Sequence, residues 1–237
     1  MKIPDLVAAA QRQKMPAVAL TDHGNLFGAV DFYKKADKAA VKPIIGCEVY
    51  VTPGSCHDRQ AGRKLPLHHL VLLARNDEGY SNLVKLVSAS YMEGFYYKPR
   101  VDKDLLERYS DGLLALSACL QGEVSYHLDH EDEKAAVEAA LWYRDLYGPE
   151  NFYLELMYHG MSRQKRVLKS LVKLSDQENI PLVATNDVHY VSREDHRVQD
   201  VLLCIQTQST WADQERFKMP TDEFYFKTPE EMEALFS

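Results

Sequence analysis

The chain has 237 residues, 46% of them hydrophobic and 27% charged, and its 28 lysines and arginines against 35 aspartates and glutamates leave a formal net charge of −7. No apolar run approaches the ~20 residues that a membrane-spanning helix needs. The amino-terminal stretch lacks the apolar core of a signal peptide, and a chain of this sign repels a phosphate backbone unless a local basic patch or a bound cation intervenes.

Four scattered cysteines (Cys47, Cys56, Cys119 and Cys204) form no Cys-x-x-Cys pair. That excludes a zinc finger or a disulfide scaffold and predicts a protein of the reducing cytoplasm. From the start of the chain, Ile3-Pro4-Asp5-Leu6-Val7-Ala8 reads as a helix opening with proline in its first turn. Residues 17–21 predict a buried strand. A helix over 26–40 follows, with Leu26, Ala29, Val30, Tyr33, Ala36 and Ala40 on one face. The next strand is 43–51. Past a polar loop holding Pro53, Gly54, Gly62 and Pro66, another runs over 70–74, and Tyr80, Leu83, Leu86 and Val87 then mark a helix. Further strands are predicted at 112–117, 152–157 and 181–185, separated by helices at about 133–147 and 163–178. A helix near 193–206 comes next, and residues 208–237 read as an exit segment ending in a short helix at 229–236.

Strands alternating with helices imply a mostly parallel sheet covered by helices, and this length favours a closed or nearly closed barrel. A barrel that opens on a helix leaves one strand edge unpaired. Six predicted strands behind an opening helix are read as an α/β barrel whose beginning is missing.

Polar groups gather where the predicted strands end, the face on which parallel α/β folds bind ligands. Asp22-His23-Gly24 follows the strand at 17–21, and it reads equally as a ligand pair or as a capping Asp beside a packed His. Asn186-Asp187-Val188-His189 holds the same place after 181–185. In extended chain, Asp187 and His189 point to one side, which suits zinc, manganese or iron, or else an Asp–His hydrogen bond that orients a loop. Glu48 interrupts an apolar strand; a buried charge there needs a partner, either a cation or a histidine. His68-His69 sit at a strand start rather than a strand end and break this pattern. Cys119, just past 112–117, reads as a small core residue or as a soft ligand suited to zinc. Gly94-Phe-Tyr-Tyr-Lys-Pro-Arg100 reads either as a packed loop or as a nucleic-acid contact. No Gly-x-Ser-x-Gly elbow, P-loop or Gly-x-Gly-x-x-Gly occurs.

The segments 17–30, 42–51, 68–74, 94–100 and 184–190 together resemble one family. It is the polymerase-and-histidinol-phosphatase (PHP) domain that opens bacterial DNA polymerase III alpha subunits, and the resemblance runs in order along essentially the whole chain. It implies a distorted (β/α)7-type barrel over residues 1–207, with residues 208–237 leading toward an absent polymerase palm domain. It also implies a trinuclear cluster of divalent ions at one end, serving metal-dependent phosphoester hydrolysis of the 3′–5′ exonuclease type. Matched motif to motif, the ligand positions are His23, Glu48, His69, Cys119, Asp187 and His189, with His69 chosen over His68 because it directly precedes the apolar run.

The family's opening His-x-His strand has no counterpart here, so the cluster is expected to be incomplete. Glu48, His69 and Cys119 would hold one ion, a workable zinc set with water as the fourth ligand. Glu48 with Asp187, and His23 with His189, would hold two others weakly, and hydrolysis is expected to be weak or absent. The implied partners are the remainder of a polymerase alpha chain, DNA only through the full subunit, and other replisome subunits; no membrane is implied. Two competing readings are a stand-alone metal-dependent phosphoesterase and a purely structural module.

Overall fold

A computed structural model describes residues 1–59 and 66–236; Gly62 of the polar loop lies outside the described residues. In chain order the elements are α1 (Ile3–Arg12), β1 (Ala17–Leu20), α2 (Ala29–Lys38), β2 (Lys42–Val51), β3 (His68–Ala74), α3 (Asp77–Met92), β4 (Arg100–Val101) and α4 (Lys103–Arg108). They continue with β5 (Leu113–Leu116), α5 (Glu123–Asp129), α6 (Glu133–Tyr147), β6 (Phe152–Leu156), α7 (Ser162–Glu178), β7 (Leu182–Ala184), α8 (His196–Thr207) and α9 (Pro229–Phe236).

The strands form one seven-stranded sheet in the order β1-β2-β3-β5-β6-β7, with β4 attached to β2. Pairing is parallel except along β3, which runs antiparallel to both β2 and β5. β3 is the exception to the predicted parallel order because no crossover helix separates it from β2 among the described residues. Its first residues therefore lie at the same pole as the last residues of the parallel strands.

The sheet is curled, and the period of two along each strand separates an outer from an inner face. Cys47, Val49, Val51, Leu70, Leu72, Ala115, Phe152 and Leu154 face outward into the main core. There they meet Leu83 and Leu86 of α3, Ala136, Ala140 and Tyr143 of α6, and Leu171 and Leu174 of α7. Leu6, Val7 and Ala10 of α1 close a second core on Phe32 and Ala36 of α2. Inside the curl, Val71, Leu73, Leu114, Leu116, Tyr153 and Val183 line a cavity of about 890 Å³ that also touches β1. β1 and β7 are the two ends of the sheet path, and residues of both border this cavity.

Local signals fix the helix starts. The Asn76 side chain accepts the Gly79 N–H to cap α3, Asp102 accepts from Leu105 at α4, and Asp132 accepts from Ala135 at α6. Three sequence expectations need correction. The short α4 and α5 and the two-residue β4 were not foreseen, since elements of this size carry too few periodic positions to be seen. The buried stripe of α2 is Ala29, Phe32 and Ala36, whereas Val30 and Tyr33 are exposed. Tyr80 likewise faces outward from α3. In both helices the apolar face is narrower than the apolar composition, because one sheet surface can cover only one stripe.

Candidate metal centre

The pole at which the parallel strands end collects the polar groups. Past β1 the ladder with β2 continues for two further hydrogen bonds, Glu48 N–H to Asp22 O at 3.1 Å and Gly24 N–H to Glu48 O at 2.9 Å. These lock His23 beside Glu48 as a parallel bridge pair. On the other side of β2, Glu48 lies opposite Val71 and Tyr50 opposite His69. Residues opposite one another share a face, so Glu48 and His69 are diagonal neighbours on the inner face.

The side chains meet accordingly. Glu48 Oε1 contacts His69 Nδ1 directly and lies 3.3 Å from His23 Nε2. One donor atom from each of His23, Glu48 and His69 falls within 4.8 Å of the others. Cys119 follows Ala118, a residue in the left-handed region (φ 61°) whose N–H is held at 2.8 Å by Glu155 Oε2. That turn brings Cys119 Sγ to 3.9 Å from His69 Nδ1. Cys119, Asp187 and His189 stand outside that group of three: the His189 ring centroid is 6.3 Å from that of His23, and its Nδ1 is 3.4 Å from Asp187 Oδ1.

The strand period also separates the two adjacent histidines. His69 shares the inner face with Val71 and Leu73, while His68 shares the outer face with Leu70 and Leu72 and packs edge-on against Tyr126, 5.0 Å between centroids. Arg100, the cation of the 94–100 motif, is buried and donates to the carbonyls of Gly94, Cys56 and Asp58, so it is spent on the loop itself.

Electrostatics mark this pole as short of positive charge. Burial works to raise the Glu48 carboxyl, but hydrogen bonds from His23 and His69 outweigh it and pull the group down to about 2. The bond to Glu48 raises His23 against the opposing effect of burial. Burial raises Asp187, a rise that the Glu48 charge adds to and the neighbouring histidines oppose. Burial pushes the Cys119 thiol far up, with Glu48 and Asp187 adding to the effect. Glu155, fully buried, rises to about 7 although Thr185 and Ala118 both donate to it. Two imidazoles and a carboxylate converging on one point, with the Cys119 thiol beside His69, are a donor set that fits a divalent cation.

Sequence reasoning missed the groups that hold this pole in place. His159 is stacked on Phe224 at 4.3 Å, and its Nδ1 and Nε2 lie 2.9 Å from Gln164 Nε2 and 3.3 Å from both Asn186 Oδ1 and the Asp187 nitrogen. The carbonyl of Phe224 accepts the His189 N–H at 2.8 Å, and Asn186 donates to Tyr225 O at 2.6 Å. Only Gln164 is near His159 in sequence, five residues on, and the groups that tie its ring to the pole, Asn186, Asp187 and Phe224, come from 27 or more residues away, so the local pattern does not signal this.

Comparison with known proteins places these observations in a lineage. The PHP domain family matches residues 1–159. The chain is 48% identical over its whole length to a protein of Borreliella burgdorferi, 47% over 98% of it to one of Treponema pallidum, and 49% over 93% of it to one of Thermus aquaticus. Each of these is named DNA polymerase III subunit alpha, and the matched region makes up 21%, 20% and 18% of their respective lengths. The curled sheet, the inner-face donors at its pole and the match over two-thirds of the sequence agree, and the chain belongs to the PHP domain family.

Proposed function

We propose that this chain serves as the PHP region of a DNA polymerase III alpha subunit in cytoplasmic DNA replication, and that its sheet pole holds divalent metal for phosphoester chemistry of the 3′–5′ exonuclease type. The observation that carries the metal reading is the convergence of His23, Glu48 and His69 on one point. A bound ion would supply Lewis acidity toward a phosphate oxygen and lower the pKa of a water.

The chain's own residues define the rest. Glu48 sits between two imidazoles and bridges the part of the site held by His69 and Cys119 to the part held by His23. Asp187 and His189 close the far side, oriented from behind by His159 and Asn186. The proposed ligands remain His23, Glu48, His69, Cys119, Asp187 and His189. With so few donors per ion, the set favours one well-held cation over a full cluster, and hydrolysis by this chain alone is weak. Zinc, manganese and iron all suit these donors.

Partnership with more of a polymerase chain draws support from α8. Val198, Val201, Leu202 and Ile205 recur at helical spacing on its outer side and are 60%, 47%, 49% and 70% exposed. An apolar stripe of this kind calls for a covering surface, and the chain spans only about a fifth of the length of the relatives it matches. No helix among the described residues is long and apolar enough to cross a membrane.

The test is metal analysis of protein purified without chelator. Near-stoichiometric zinc, manganese or iron that is lost in Glu48→Ala is the expected result. A second reading, a structural module, rests on the mutual pairing of Glu48 with His69 and of Asp187 with His189. It takes over if the protein is metal-free and takes up none of these ions on titration.

A further inference from the structure

Beside the metal centre lies a surface that the proposed chemistry does not use. The Asn25 side chain donates to His23 O and accepts the Phe27 N–H, both at 3.0 Å, a turn that throws Phe27 outward four residues after His23. Phe27 is 85% exposed. Its ring lies 6.3 Å from that of Tyr91, which in turn stacks on Phe95 at 5.9 Å with 20° between the planes. Tyr97, 83% exposed, stands two residues after Phe95, with the intervening Tyr96 packed edge-on against it at 4.6 Å. Tyr97 holds a left-handed backbone (φ 59°), a conformation that bulky residues rarely adopt.

Lys98, next to Tyr97 in sequence, reaches toward the metal-ligating groups. Tyr50 lies 5.2 Å from the His69 ring and 6.1 Å from that of His23, and Lys98 Nζ sits 4.9 Å over its face. A cation that follows Tyr97 directly in the chain therefore lies against the ring that borders His69 and His23.

We propose that Phe27, Tyr91, Phe95 and Tyr97, with Lys98, form a stacking platform that binds an unpaired nucleic-acid strand and leads it toward the His23–Glu48–His69 pole. Bases stack on exposed rings without regard to sequence, and a lysine at the inner end meets the phosphate that follows. A protein partner would want a flush apolar patch; Phe27 and Tyr97 stand clear of the surface, and Lys98 beside them suits a phosphodiester rather than an apolar side chain. Arg100, already committed to backbone carbonyls, takes no part.

The inference deepens the phosphoester reading and rests on it for the direction of the strand. Its test is run in EDTA, so that strand binding is measured apart from metal binding. Fluorescence anisotropy would follow an oligodeoxythymidylate of about twelve nucleotides, the duplex of the same length, and an abasic chain of the same phosphate count. The single strand binds best, the duplex and the abasic chain about tenfold more weakly, and Phe27→Ala/Tyr97→Ala weakens the single strand by about tenfold or more. Both rings are exposed, so the melting temperature of this variant stays that of the parent. Lys98→Gln removes one phosphate contact, and the dependence of affinity on salt is shallow, with a logarithmic slope of about −0.7 per contact. Equal binding of the abasic chain, indifference to the double substitution, or a steep salt slope overturns the proposal. So does a result in which the double variant changes only self-association in sedimentation, which would make the surface a protein contact.

Discussion

His68 and His69 have the same side chain and adjacent positions, yet one faces the metal pole and the other the outer core. Strand period alone separates them, and it makes opposite predictions for their removal. His69→Ala takes away a donor beside Glu48 and Cys119 and lowers metal content at least tenfold in elemental analysis, with little loss of fold. His68→Ala leaves metal content intact and costs about 2 kcal/mol of stability in denaturant melts, as for a buried ring taken from its cavity. The sequence signal for His69 was available in its place before an apolar run, but the reason for it was not: a strand start reaches the functional pole only because β3 is antiparallel. His159 was illegible for the opposite reason, since every partner of its ring is distant in sequence or lies on another element. Its buried ring holds a pKa of about 4, lowered by burial first and by Lys227 next. The folded pKa lies below the unfolded value near 6.5, so between these limits the unfolded chain binds the proton and the folded one does not. Stability from this group is complete above about pH 6.5 and drains away as pH falls toward 4, by up to about 3 kcal/mol. The difference in stability between parent and His159→Gln, measured by urea melts across that window, shrinks on acidification; a pH-independent difference contradicts the assignment.

At the scale of elements, long periodic helices were legible almost to the residue, as α6 and α7 demonstrate. Short ones were not, although their capping chemistry is present. Asp102 is the clearest case: its Oδ1 accepts the Leu105 N–H at the start of α4, and its Oδ2 accepts the Cys56 N–H at 2.7 Å across 46 residues. These bonds hold the carboxyl below its usual range against the opposing effect of burial. Asp102→Ala removes a cap and strands a buried donor, so it is expected to cost about 2–3 kcal/mol in thermal or denaturant melts. Asp102→Asn, which keeps one acceptor, costs less. The parallel order read from strand–helix alternation was right for β1–β2, β5–β6 and β6–β7 and missed β3, because alternation carries no sign of direction where no crossover helix is found among the described residues.

For the whole molecule, strand–helix alternation and length already favoured a nearly closed barrel, whereas the proposed six-ligand set came only from the family resemblance; spacing alone left His23, Asp187 and Cys119 with two readings each. Two features of the complete fold set its behaviour in solution. The sheet path ends at β1 and β7, and α8 shows Val201, Leu202 and Ile205 to solvent. Exposed strand edges and apolar stripes both promote association. Sedimentation velocity of the isolated chain at micromolar concentration is expected to show concentration-dependent association that Leu202→Glu/Ile205→Lys reduces without lowering the melting temperature. A monodisperse monomer in the parent contradicts that reading. The central claim, that six side chains from distant segments converge to hold cations, is tested most directly by anomalous diffraction from crystals soaked in zinc or manganese. The account predicts a peak within bonding distance of His69 and Glu48, with any further density toward His23, Asp187 and His189. A map with no peak at that pole under saturating metal, or with its only peaks elsewhere, contradicts it.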